Sequence, residues 1–538
     1  MINKQLTQNW GLTPNGLRFL IVVLLVLGVF FRFVNLDRKV YWDDETYTSL
    51  RISGYTQTEL LQQVFNGDII GVEDLHKYQR TNPEKGLIDT VKSLAVDDPQ
   101  HPPLYYVMLR SWVQLFGNSV AVTRSLSAVI SLLVFPCIYW LCLELFESPL
   151  VGWVAIILIS VSPFHVLYAQ EAREYSLWTV MILLSSAALL RAMRLKTKLS
   201  WGVYALTVAL GLYSFLFSGL VAIGHGVYVV ATERFRVSKT VTSYLLASLA
   251  GLLAFAPWLF IIVTNLSAVH NTTNWMNHRF RLASLVKAWA FNLSFVFSDV
   301  QTFFDDPLFV FSNGRFGLDV PFNFVFVILG GYSIYFICRK SPQRIWLFLL
   351  TLMGVTALAL IGPDLILGGH RSSLARYPFP CYLGIQLAVA YLLSTQITFF
   401  SSNALQQKLW QLFMLTLISV GVLSCAINSQ AETWWNKFYS NSNPPIAQIV
   451  NQATQPLLLS KAAVGSVMSL SYLLEPNVQL QLVFEPNTPR IPDSFSNIFL
   501  FDPFKGSRKL RFQIEKEQNY KTEPVYQGMH WLWKLAKP

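Results

Sequence analysis

Residues 17–47 read LRFLIVVLLVLGVFFRFVNLDRKVYWDDETY: an apolar run, then within a few residues three consecutive acids, Asp43, Asp44 and Glu45. About 20 apolar residues in helical form cross the hydrocarbon core of a bilayer. Only helices or closed barrels keep every backbone polar group paired there. Carboxylates at the lip of such a helix are costly unless they face water, which marks them as candidate site residues.

The rest of the composition agrees. Of 538 residues, 53% are hydrophobic, 14% aromatic and only 13% charged, with a mean hydropathy of +0.42. A soluble globular domain carries about a quarter charged residues, so the chain reads as a polytopic membrane protein. The net charge of +11 is accounted for by Lys and Arg in cytoplasmic loops and calls for no nucleic-acid partner. Cys137, Cys142, Cys338, Cys381 and Cys425 all lie in or beside apolar runs without metal-ligand spacing, so neither disulfides nor a cysteine metal site is expected.

Apolar runs lie near 17–35, 120–143, 149–166, 174–193, 201–217, 218–232, 241–263, 319–338, 344–362, 377–397 and 408–428. They predict about eleven spans. The first reads as a retained helix with a cytoplasmic N-terminus. Alternation then puts the basic loops at 191–198, 234–239 and 339–344 inside, in keeping with the positive-inside rule. It exports four stretches: 36–119, 164–173, 264–318 with 363–376, and the tail from 429. Every polar cluster of interest falls on this outer side.

In the first outer loop, Leu60, Leu61, Val64 and Phe65 recur at helical spacing and predict a helix lying in the membrane interface. The loop ends in His101-Pro102-Pro103-Leu104-Tyr105-Tyr106, where two prolines stiffen the entry to an aromatic helix. After the third span comes Gln170-Glu171-Ala172-Arg173-Glu174-Tyr175, with Glu171 and Tyr175 on one helical face. A second cluster, His370, Arg371, Arg376 and Tyr377, opens the tenth span. Arginine suits phosphate because its planar fork stays charged and binds oxyanions bidentately. The outer segment 264–318 adds Asn274 to Phe280 and Phe303-Phe304-Asp305-Asp306-Pro307, either a cover over the site or an interfacial loop. Beyond residue 428, strand-like Val478–Phe484, Ile498–Asp502 and Val525–Leu535 alternate with helical spacing and predict a small α/β domain, with a basic cluster at Lys505, Arg508, Lys509 and Arg511.

A carboxylate pair after the first span, an HPPLYY sequence, an outer QEARxY segment and a late RYxxP sequence together resemble the C superfamily of membrane glycosyltransferases. More narrowly the chain looks like the group of protein O-mannosyltransferases, lipid A aminoarabinose transferases and Rgt-type enzymes. The resemblance covers about residues 15–430. It implies transfer of a sugar from a polyprenyl-phosphate donor to a glycolipid, polysaccharide or protein acceptor on the outer face of the bilayer, with inversion. The catalytic acid pair of such families matches Asp44-Glu45, with Asp43 an extra acid that leaves the register open.

The chemistry fits these residue types. A carboxylate within reach takes the acceptor hydroxyl's proton as attack develops. The departing phosphate needs cations and no proton donor. Asp44 is therefore assigned as general base and Glu45 as its positioning partner, with Arg173 and Arg376 on the lipid phosphate. Asp43, His101, Tyr105, Glu171, Tyr175, His370, Arg371 and Tyr377 are donor or acceptor contacts. A divalent cation at Asp44 is possible, since hard oxygen ligands suit it, though no ligand set declares itself. A flippase of lipid-linked sugars and a non-catalytic lipid-phosphate scaffold remain as alternatives. The architecture expected is an all-α polytopic membrane domain over 1–428, with interfacial helices in 36–119 and a second large outer loop at 264–318. An extracytoplasmic α/β domain over 429–538 completes it, the whole set in the cytoplasmic membrane.

Overall fold

The computed structural model describes residues 14–300, 319–398, 404–461, 463–484 and 488–537; the Phe303–Pro307 stretch lies outside them. The chain divides into two compact units. One comprises Met1–Val34, Gln100–Leu104 and Arg124–Ser429; the other comprises Asn35–Pro99, Tyr105–Thr123 and Gln430–Pro538.

The first unit is helical. Helices cover each of the apolar runs read from the sequence, and the 201–232 run is two helices, Lys198–Ser214 and Ser218–Thr232. Among the described residues, five helices are long and apolar enough to cross a membrane: Val120–Phe146, Tyr175–Leu195, Lys239–Thr264, Gln343–Ile366 and Leu405–Ser440. A sixth is a broken pair, Pro149–Ser160 and Pro163–Ala169, bent by 62°. The sequence reads this pair as one continuous span. Ser162-Pro163 interrupts it, because proline lacks the N–H a continuing helix needs and is tolerated at a first helical position.

Such a break leaves terminal carbonyls unpaired inside an apolar unit. Arg32 answers this. It is almost wholly buried and donates to the carbonyls of Ser160 at 2.8 Å and Ile159 at 3.1 Å, and to Gly28 O in its own helix at 2.7 Å. A cation at a helix C-terminus also meets the negative end of its dipole. Gln170 reciprocates, its Nε2 donating to Phe31 O and Val34 O at the end of helix Pro14–Phe33. The close approach requires Gly28, where a Cβ would sit 2.7 Å from Ser160 Cβ and 2.8 Å from its carbonyl oxygen.

The second unit is built on a six-stranded sheet. Its strands are β1 (Asn66–Gly71), β2 (Pro456–Lys461), β3 (Gln479–Val483), β4 (Asn497–Asp502), β5 (Lys521–Gln527) and β6 (Trp531–Ala536), in the order β1-β3-β2-β4-β6-β5. The central β3-β2-β4 trio is parallel; β1 and the β5-β6 hairpin flank it antiparallel. Side chains alternate across the sheet. Leu458, Leu480, Leu482, Phe499 and Phe501 face one core, Leu457, Leu459, Ile498 and Leu500 the other. A strand buried on both faces reads as continuously apolar, as Leu457-Leu458-Leu459 does.

Two sequence expectations change here. β1 comes from the segment 36–119 and pairs with β3, so that segment and the C-terminal tail share one sheet. Helix Gln57–Val64, expected to lie in a membrane interface, instead packs Leu60, Val64 and Phe65 into the core with Ile446, Val450 and Leu458. An amphipathic pattern specifies an apolar partner without saying whether that partner is lipid or protein.

Replacing Gly28 by valine is expected to lower the stability of the first unit by about 1–3 kcal/mol, because the clash falls on backbone that cannot yield cheaply. Thermal unfolding of the purified chain in detergent, read against the native chain, checks this.

Candidate active site

The acids open helix Asp43–Ser53, their charges at the end where helical N–H groups and the dipole favour anions. The three differ sharply in surroundings. Glu45 has no exposed surface, and its Oε2 lies 2.9 Å from the ammonium of Lys437, itself 1% exposed. The same Glu45 oxygen accepts the Trp42 N–H at 3.5 Å, and the Lys437 ammonium stands 5.5 Å from the Trp42 ring centroid. That is the geometry of a residue that positions its neighbours.

Asp43 is only partly exposed. Ser440 Oγ donates to its Oδ1 at 3.1 Å and Ser466 Oγ to its Oδ2 at 3.4 Å. Burial pushes its carboxyl up to about 7; the two serine hydroxyls oppose the shift and the adjacent Asp44 charge adds to it. Gly465 is required here: a Cβ would lie 3.0 Å from Asp43 Oδ2 and 3.0 Å from the Tyr47 ring. Asp44 keeps part of its surface, and its carbonyl accepts from Thr48 Oγ1 at 3.1 Å. Further contacts fix the segment. Ser469 Oγ donates to Tyr41 O at 2.6 Å, the Tyr41 and Tyr472 rings are 4.6 Å apart, and Arg51 is paired with Asp97 and Asp98. Tyr105 is wholly buried in helix Leu104–Phe116 of this unit.

In the first unit, His101 Nδ1 lies 2.9 Å from Glu174 Oε1, and the Arg173 guanidinium 3.4 Å from the same oxygen. Ser127 Oγ donates to Arg173 O, and Arg173 stands 5.9 Å from the Tyr175 ring. Glu171 is fully buried, and Tyr168 lies within electrostatic reach of both Glu171 and Arg376. Arg376 itself stands 5.9 Å from the Trp275 ring and 5.7 Å from that of Tyr377. The two arginine motifs thus converge on one aromatic neighbourhood.

Arg371 and His370, expected as donor or acceptor contacts, have protein partners of their own. Arg371 is paired with the buried Asp364 at 3.1 Å and bonded to Asn277. His370 stacks on Phe280 with ring centroids 4.5 Å apart and abuts Trp275 at 5.5 Å. Gly369 allows this turn, with φ of 138° and no room for a Cβ beside Asp364. Sequence reasoning missed Lys437, Ser440, Gly465, Ser466 and Asp364, whose partners lie far away in the chain or inside an apolar run. A lone lysine amid Trp434, Trp435, Phe438 and Tyr439 was the one usable signal. A lysine buried there needs a carboxylate.

Among the described residues no group of three or more His, Cys, Asp or Glu could hold a metal ion.

A family model described as dolichyl-phosphate-mannose-protein mannosyltransferase matches residues 100–261, under a third of the chain. That stretch holds His101, Tyr105, Glu171, Arg173 and Tyr175. The crystal structure of ArnT from Cupriavidus metallidurans bound to undecaprenyl phosphate superposes with a TM-score of 0.52 at 13% identity, covering 96% of this chain and 98% of that one. The chain shares the ArnT fold. The apo form of the same ArnT gives 0.48 at 11% identity with the same coverage. No curated protein matches at the sequence level. The C-superfamily resemblance read from the motifs is borne out by this fold and by the mannosyltransferase match.

Two outcomes follow from the acid helix. Lys437→Met strands a buried Glu45 carboxylate and is expected to cost about 3–5 kcal/mol. Lys437→Met with Glu45→Gln should regain most of it; denaturant titration in detergent measures both. Asp43 binds its proton more tightly folded than unfolded, where a carboxyl titrates near 3.8. Its contribution is therefore full below about pH 4 and is lost as pH rises through about 7, a swing of roughly 4 kcal/mol. Asp43→Asn should flatten that decline in a plot of unfolding midpoint against pH.

Proposed function

We propose that this protein transfers a sugar from a polyprenyl-phosphate donor to an acceptor hydroxyl on the outer face of the cytoplasmic membrane, with inversion at the anomeric carbon. The topology retained is about eleven crossings with the N-terminus inside. The observation that carries the reading is the acid helix itself: Glu45 is locked by Lys437 and Asp43 is held by two serines, while Asp43 and Asp44 both keep part of their surface. The ArnT fold, solved in that protein with undecaprenyl phosphate, supports a lipid-phosphate partner.

In the proposed step the acceptor oxygen forms a bond to the anomeric carbon while the bond from that carbon to the phosphate oxygen breaks. The electron pair leaves with the phosphate, and the hydroxyl proton passes to Asp44. Arg173 and Arg376 meet the charge that grows on the departing phosphate, where such groups contribute most. Glu174 and His101 orient Arg173. Glu171, Tyr175 and Tyr377 bind donor or acceptor, with Glu45 as positioning residue.

The broken span would favour a flippase, since transporters place sites at interrupted helices. Against this, Arg32 already occupies the carbonyls that a transported ion would use. Transfer is therefore the preferred reading.

Labelled-sugar transfer by the purified chain in lipid, from a panel of polyprenyl-phosphate donors, tests it. Asp44→Asn is expected to cut transfer by about 10²–10⁴-fold while donor binding persists. Undiminished transfer would move the base to another acid, and donor binding without transfer by the native chain would favour the flippase.

A further inference from the structure

The basic cluster after β4 has no part in the transfer chemistry. It lies at the carboxyl ends of the parallel strands, where Asp502 closes β4 and Lys461 closes β2. Phe504 and Lys505 both adopt left-handed backbone, φ 55° and 56°, conformations that side chains of this size seldom take. The strain is held by design: Phe504 N–H donates to His530 Nδ1 at 3.3 Å, and Ser507 N–H to Asp502 Oδ1 at 2.6 Å. What it achieves is exposure. Phe504 is 46% exposed, with one edge against His530 and Tyr439.

The following helix, Arg508–Glu517, turns Leu510 and Ile514 inward and leaves Arg508, Lys509, Phe512 and Lys516 outside, Phe512 at 61% exposure. Lys505 leans over Trp531 with its ammonium 4.8 Å from the ring. Two acids of this stretch are engaged elsewhere, Asp502 buried and accepting from the Ser507 N–H and Glu515 accepting from Thr522, while Glu517 is exposed at the far end of the helix. The same end of the unit carries Ser440, neighbour of Tyr439, on Asp43.

We propose that this face, Phe504, Lys505, Arg508, Lys509 and Phe512, docks on anionic phospholipid head groups of the bilayer that the chain spans. Two exposed rings among cations match an interface that offers apolar depth beneath phosphate charge. The charge selects the partner. A neutral surface would leave the cations unmatched, whereas phosphate head groups pair them. The bilayer is the source at hand, because the chain enters this unit at Gln430 directly from apolar helix Ala404–Gln430. The inference rests on the membrane reading and is independent of the transfer chemistry.

Hydrogen exchange of the full chain in nanodiscs of phosphatidylcholine alone, and of phosphatidylcholine with phosphatidylglycerol, tests it. Amides of 504–512 are expected to exchange at least about fivefold more slowly with the anionic lipid. The variant Lys505→Glu, Arg508→Glu, Lys509→Glu should lose that difference while the amides of β2 and β4 remain as protected as before. Equal exchange in both lipids overturns the proposal. So does protection that heparin produces in phosphatidylcholine alone to the same degree, which would assign the face to a soluble polyanion. Phe512→Ser, which leaves the charges and the buried face of the helix untouched, should weaken the lipid effect; full retention would also overturn docking by this face.

Discussion

An ammonium and a carboxylate 2.9 Å apart, both withdrawn from water, hold the acid helix in place. Neither could be buried alone, since an unpaired charge in protein costs roughly several kcal/mol even after relaxation. Lys437 and Glu45 are 392 residues apart in the chain. Their pairing therefore requires the segment that follows the first apolar helix and the start of the C-terminal tail to fold as one body. Around it gather Ser440, Ser466 and Gly465 on Asp43, Ser469 on Tyr41, and β1 on β3. The tail is thus part of what sets the acids, and its sheet is their foundation.

The helical unit solves a related problem with a different charge. A broken helix exposes carbonyls that only a donor can satisfy, and Arg32 supplies the donors without leaving the apolar unit. Both solutions depend on glycine at the point of approach, Gly28 beside Ser160 and Gly465 beside Asp43. In each, a polar group far inside is tolerated because its partners are fixed by packing, which is also what makes the arrangement rigid.

Hydropathy made the helices legible because burial in an apolar medium demands long runs, and 149–169 still reads as a long apolar run. The break within it was not, since a Ser-Pro pair interrupts a helix only if something accepts the loose carbonyls, and Arg32 lies more than a hundred residues earlier. β1 was invisible for a similar reason: Asn-Gly-Asp-Ile-Ile-Gly is short, and only its partner gives it meaning. The polar motifs were legible as residue types in order, yet their uses divide. Arg173 is paired with the neighbouring Glu174, whereas Arg371, equally cationic, meets an aspartate hidden in an apolar helix. Residue type announces charge; only the fold tells which charges are already answered.

The three consecutive acids illustrate why that distinction matters for chemistry. Three adjacent carboxylates at one helix end repel one another, and the fold relieves this unequally. Glu45 is neutralised by Lys437. Asp43, crowded by protein and next to the charge of Asp44, retains its proton to about pH 7. With one neighbour paired and the other holding a proton, the repulsion that would otherwise bear on Asp44 is largely removed. A protonated Asp43 can also donate a hydrogen bond where a carboxylate could only accept, so the same residue both quiets the electrostatics and stiffens the turn. On this view the extra acid in the sequence has a purpose. Its proton relieves the crowding of charge at this helix terminus, and its own titration near pH 7 sets where that crowding returns.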